Sequence, residues 1–186
     1  GSAGPDAISG DMFDHGANNA AVGHRRWLLY PQTQTMGTGD VEASGTAAAA
    51  NATWVFDGNY GGPRPGTRTQ FVSWPPADYV PHPIVYPRWS FSYPGANFSS
   101  ATVTMTSDGT NVPVRLEPPA TGIGEPTLVW VPDSLNANDS AYRWPRPLAD
   151  KTYAVTVRNV GGTSGTFTYS VTVFDPQVPG PDQVLP

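Results

Sequence analysis

His24, Arg25 and Arg26 carry the densest polar chemistry of this sequence, directly before the apolar run Trp27-Leu-Leu-Tyr30. A histidine that follows Gly23 and leads into a strand could ligate a metal or move protons in a cleft. A zinc site needs three or four ligands, and the other histidines, His15 and His82, stand in unrelated contexts. The competing reading is structural. His24 would bond a backbone carbonyl while the arginines pair with Asp11, Asp14 or Asp40, because polar clusters often serve the fold. The sequence leaves both readings open.

The second set of candidates is aromatic. Trp74, Tyr79, Tyr142 and Trp144 lie in Pro-rich segments predicted as loops, where exposed rings could stack on the C–H faces of sugars. Trp89 and Trp130 lie in strand patterns and are predicted as core. The candidate ligand-binding residues are therefore His24, Arg25, Arg26, Trp74, Tyr79, Tyr142 and Trp144, and no residue is assigned a catalytic role. Glu125, Asp133, Asp139 and Asp150 fall between strands, where β-sandwich modules sometimes hold calcium, but no dense Asp-x-Asp series marks a loop. No cofactor is assigned, with calcium or zinc the metals to consider. The sequence contains no nucleophile elbow, phosphate loop, His-Glu-x-x-His or cysteine, so it offers no positive sign of an enzyme.

The elements that must position these residues follow from composition and period. The 186 residues can bury a core, and 20 Gly with 21 Pro favour turns and strands over helices. Lys151 is the single lysine, and the net charge of −5 repels phosphate backbones, which argues against nucleic acid and against basic membrane-surface binding. No apolar run reads as a signal peptide or approaches the ~18 residues of a membrane span. Low lysine and abundant Thr, Asn, Gly and Pro suggest a secreted protein. Gly1-Ser2 is compatible with a tag remnant, and the chain with an excised piece of a longer precursor carrying an upstream domain.

Residues 5–15 are predicted as a short helix, with Ile8 and Met12 on one side. Trp27–Tyr30 and Thr53–Phe56 are predicted as strands, and Ala43–Ala50 as a loop. Residues 57–69 are dense in turn formers and read as a linker, which places a boundary near residues 65–70. Beyond it, apolar and polar residues alternate along 88–93, 101–106, 152–158 and 166–173, with Thr on the outer face. That period describes strands packed on one side. Asp108-Gly109 and Gly161-Gly162 are turn signals between such runs. The fold predicted is mainly β: an antiparallel immunoglobulin- or fibronectin-like β-sandwich over 70–176, with a Pro-rich tail over 177–186.

Val22-Gly-His-Arg-Arg-Trp-Leu-Leu-Tyr-Pro31, with Met36-Gly-Thr-Gly39 and Thr53-Trp-Val-Phe56, resembles the second half of a bacterial CAP-superfamily (SCP-like extracellular) domain. The resemblance covers about residues 5–60. It implies a partial α+β segment over 1–65, the end of an α-β-α sandwich in which His24 lines the central cleft. The family completes that cleft with an earlier histidine and upstream glutamates, which have no counterpart here. Members bind zinc there and are linked to sterol, lipid, cell-wall or protein binding. The expected function is a non-catalytic extracellular binding or adhesion module, with polysaccharide or another cell-surface ligand as partner. The alternatives are part of a secreted hydrolase or lyase with a site near His24, or a structural accessory domain of a larger extracellular enzyme.

Overall fold

Strict alternation turns every second side chain to one face of a strand, and the second half of the chain obeys that rule in two facing sheets. The computed structural model describes residues 2–163 and 165–178. In chain order the helices are α1 (Pro5–Phe13) and α2 (Gly23–Leu28). The strands are β1 (Gly37–Val41), β2 (Ala50–Trp54), β3 (Val72–Trp74), β4 (Asp78–Pro81), β5 (Trp89–Ser92), β6 (Thr102–Ser107), β7 (Thr110–Val112), β8 (Val114–Leu116), β9 (Thr127–Pro132), β10 (Lys151–Arg158) and β11 (Phe167–Phe174). One sheet runs β4-β11-β10-β6-β7 and the other β3-β5-β9-β8. This is the β-sandwich predicted. One pairing departs from the antiparallel expectation: β4 lies parallel to β11, with Asp78 opposite Val171.

Tyr153, Val155 and Val157 of β10 and Tyr169, Val171 and Val173 of β11 point inward to meet Trp89, Phe91, Met105 and Trp130. Thr152 and Thr172 oppose each other outside and share a hydroxyl hydrogen bond of 2.9 Å. In β5, however, Trp89, Ser90 and Phe91 are all buried, and β9 is buried along its whole length. These are the two central strands of their sheet, and the backbone just before each one is bonded by the N-terminal segment. The carbonyl of Arg88 accepts from Arg25, and that of Glu125 from Arg26. Asp108 (φ 50°) and Gly109 (φ 75°) close the β6–β7 hairpin, the paired positive φ that a two-residue primed turn requires.

The N-terminal third corrects the sequence reading. Helix α1 is present, but the predicted strand at Trp27–Tyr30 is absent, since Gly23–Leu28 is helical. Asp14 ends α1 in the left-handed conformation (φ 52°), and its carboxylate accepts the His24 backbone N–H at 2.9 Å. A strand would send Arg25 and Arg26 to opposite faces. The helix sets them about 100° apart, so both reach buried carbonyls. Strand β2 overlaps the predicted Thr53–Phe56 strand and pairs with β1 in a separate two-stranded ribbon. Two short helices and a ribbon do not form an α-β-α sandwich. Residues 57–69 hold no helix or strand, and Arg64 ties them to the sandwich through Glu125 at 2.6 Å. The tail predicted over 177–186 lies outside the described residues from 179 onward.

Candidate functional site

Arg25 and Arg26 are both buried, Arg25 completely and Arg26 at the wall of a cavity. Arg25 donates from Nε to the carbonyl of Met12 (2.6 Å), from Nη1 to Arg88 (2.7 Å) and from Nη2 to Phe13 (3.3 Å). Arg88, likewise buried, donates from Nη1 to the carbonyl of Asp14 (2.8 Å), from Nη2 to that of Gly16 (3.0 Å), and from Nε to the Glu117 carboxylate (3.1 Å). Burial lowers the Arg25 pKa to about 9, the nearby Asp14 opposing that shift. The guanidinium remains charged at neutral pH. This pair of arginines stitches the helical segment onto the sandwich by satisfying carbonyls that would otherwise be orphaned.

His24 sits at the edge of that junction with its side chain 61% exposed, and its Nδ1 lies 2.8 Å from Oδ1 of the buried Asp14. The bond to Asp14 holds the imidazole pKa above its ordinary 6.5 against the opposing effect of burial, and the charges of Asp14 and Asp11 add to the rise. Such a pair orients an imidazole as a general base requires. Among the described residues no hydroxyl is hydrogen-bonded to its other ring nitrogen, and no group of three or more His, Cys, Asp or Glu side chains could hold a metal. Neither of the metals considered, zinc or calcium, meets a cluster of three such side chains there. Glu125, one of the acidic residues considered, is buried and paired with Arg64.

The aromatic candidates do not gather in one platform. Trp144 is buried, contrary to the loop exposure expected for it, and packs 5.1 Å from Trp89 and 5.2 Å from Tyr153. Trp74 is half-buried at the end of β3, and Tyr79 stands 68% exposed on β4. Tyr142 is partly exposed and donates its hydroxyl to the Ser134 carbonyl at 3.3 Å. A different aromatic cluster escapes sequence reading. The rings of Trp27, Tyr30, Phe56 and Tyr60 come together with neighbouring centroids 4.8–6.1 Å apart. Trp27 and Tyr30 form one sequence-local pair and Phe56 and Tyr60 another, and the two pairs are tied together by hydrogen bonds from Thr33, Gln34 and Thr35 to Val55 and Asp57.

The cavity best equipped for a ligand is a cleft of about 580 Å³ between the β6–β7 hairpin, the end of β9 and the 144–151 segment. Trp144 and Tyr153 form its base, while Asp108, Ser134, Asp150 and Lys151 contribute polar groups. Lys151 holds its ammonium 5.9 Å from the centre of the Tyr153 ring. Burial raises the Tyr153 phenol above its ordinary range. Leu148 stands fully exposed at the rim. An aromatic base with convergent hydroxyl, carboxylate and ammonium groups suits a polar ligand with apolar faces. The available sequence signal was Pro145-Arg-Pro147 between Trp144 and the single lysine.

No family model matches the chain, and no curated protein matches it. Among solved structures it is similar to PcoC, a methionine-rich copper resistance protein from Escherichia coli. Identity is 20%, coverage is 54% of this chain and 92% of that one, and the TM-score is 0.38. A likeness of that size says nothing of ligand or activity. Membership of the CAP superfamily is corrected by these findings: no match supports it, and the Gly-His run that suggested it forms a helix with buried arginines. No helix among the described residues is long and apolar enough to cross a membrane.

Proposed function

We propose that the chain is a non-catalytic extracellular binding module whose ligand is a carbohydrate, held in the Trp144–Tyr153 cleft. The observation that carries this reading is the pairing of a buried aromatic base with polar groups of both charges around one opening of about 580 Å³. Sugar rings offer C–H faces to aromatics and hydroxyls to carboxylates, serines and ammonium groups, so one surface serves both halves of the ligand. The size falls within the ~300–1,000 Å³ of small-ligand sites. Secretion to the cell surface is part of the same proposal, supported by the low lysine content and the polar Thr-rich strand faces.

A hydrolase or lyase centred on His24 gains little, because among the described residues no hydroxyl is hydrogen-bonded to the His24 ring to serve as a nucleophile. The test is native affinity electrophoresis through gels holding neutral or acidic polysaccharides. The wild-type chain should be retarded by at least one of them, and Asp150→Asn with Lys151→Ala should run free while melting at the same temperature. A wild type that no polysaccharide retards would favour the structural accessory role instead.

A further inference from the structure

Three arginines are buried at the seam between the helical segment and the sandwich, and one of them is incompletely used. Arg25 and Arg88 have every guanidinium nitrogen bonded. Arg26, only 5% exposed, donates from Nη1 to the Ala120 carbonyl (3.2 Å) and from Nη2 to the Glu125 carbonyl (3.0 Å), whereas its Nε–H has no partner. Nε is thus the one nitrogen of this guanidinium left without a partner. Arg26 also makes no ion pair among the described residues, and Glu125 turns its Oε1 to Arg64 at 2.6 Å instead. Burial lowers the Arg26 pKa to about 10, so the cation persists at neutral pH. A buried cation without an anion is costly and calls for a counter-charge.

Arg26 lines a second cavity of about 480 Å³, walled by the 96–99 and 119–124 loops. It is the one charged residue among the described lining residues. Phe98 supplies an apolar wall, and Asn97, Ser99 and Thr121 supply polar groups around the opening. We propose that this cavity binds the carboxylate of a sugar acid, a uronate, with Arg26 as the anion-binding residue and the 97–99 and 121 positions around the ring. The guanidinium fork matches a carboxylate in shape and charge. The site is distinct from the Trp144–Tyr153 cleft, shares no lining residue with it, and stands or falls separately.

The test is an amide chemical-shift titration of the full chain with galacturonate, galactose and acetate. Galacturonate should shift the amides of Ala96–Ser99 and Thr121–Thr127, galactose should leave them in place, and acetate should bind more weakly. Arg26→Gln should weaken galacturonate binding about tenfold or more, the scale of a lost charge-assisted hydrogen bond. Should Arg26→Gln fail to fold, Thr121→Trp fills the opening while leaving the Arg26 side chain in place and should weaken binding as strongly. Absence of shifts at those amides, equal shifts with galactose, acetate equalling galacturonate, or undiminished binding by Thr121→Trp would each overturn the proposal.

Discussion

Arg25 donates to the carbonyl of Arg88 at 2.7 Å, and Arg88 reaches back to the carbonyl of Asp14, so the two buried arginines close one loop of bonds across the seam. Each neutralises backbone oxygens that the other's segment leaves without a helix or sheet partner. Arg25→Met and Arg88→Met should therefore each lower unfolding stability by about 3 kcal/mol or more, measured by denaturant titration. The double variant should lose less than the sum, because the two share one network. A loss below ~1 kcal/mol for either single change would show that the seam carries no such weight.

The Asp14–His24 bond makes a prediction about pH. Its folded-state imidazole pKa lies above the ordinary 6.5, so folding favours the protonated ring. The stabilisation is fully present below pH 6.5 and fades as pH rises through the higher folded value. NMR titration should find the His24 pKa above 6.5 in the wild type and closer to it in Asp14→Asn. A wild-type midpoint at or under 6.5 would contradict the geometry.

Trp144 is both core and base of the cleft, which separates two kinds of variant. Trp144→Ala should cost about 3–5 kcal/mol through the cavity left beside Trp89 and Tyr153. Asp150→Asn, at an exposed rim position, should change stability by no more than ~0.5 kcal/mol. Thermal unfolding of the two variants side by side checks the assignment, which fails if Trp144→Ala melts like the wild type.

Gly109 adopts φ 75° at the tip of the β6–β7 hairpin beside the Asp108–Ser134 mouth of the cleft. A Cβ there meets no neighbour, so the cost of Gly109→Ala is conformational alone. The expected destabilisation is about 1 kcal/mol. A neutral Gly109→Ala in denaturant titration would mean that the turn relaxes to another type.

The sandwich was legible because its strands advertise themselves locally. Thr166 to Val173 alternates without a break, Thr152 to Val157 alternates except at Ala154, and Asp108-Gly109 marks its own turn. The N-terminal segment was not legible, because Gly23–Leu28 is fixed by partners distant along the chain: Asp14, Arg88 and the Glu125 carbonyl. An apolar run of four residues reads equally as strand or helix until such partners are known. The same holds for the site. Trp144 stood out as a residue type, but its burial against Trp89 and its meeting with Asp108 and Lys151 depend on the packing of the 133–150 loop over the sheet. The Trp27–Phe56–Tyr60 cluster was invisible for the same reason.

The proposed function turns on where a carbohydrate touches the chain, and a chemical-shift map with a retained oligosaccharide answers that directly. The account predicts shifts concentrated at Ser107–Val112, Pro132–Leu135 and Trp144–Tyr153, and their loss in Asp150→Asn with Lys151→Ala. Shifts gathered instead around Trp27, Tyr30, Phe56 and Tyr60, or no saturable shifts with any oligosaccharide, would contradict it.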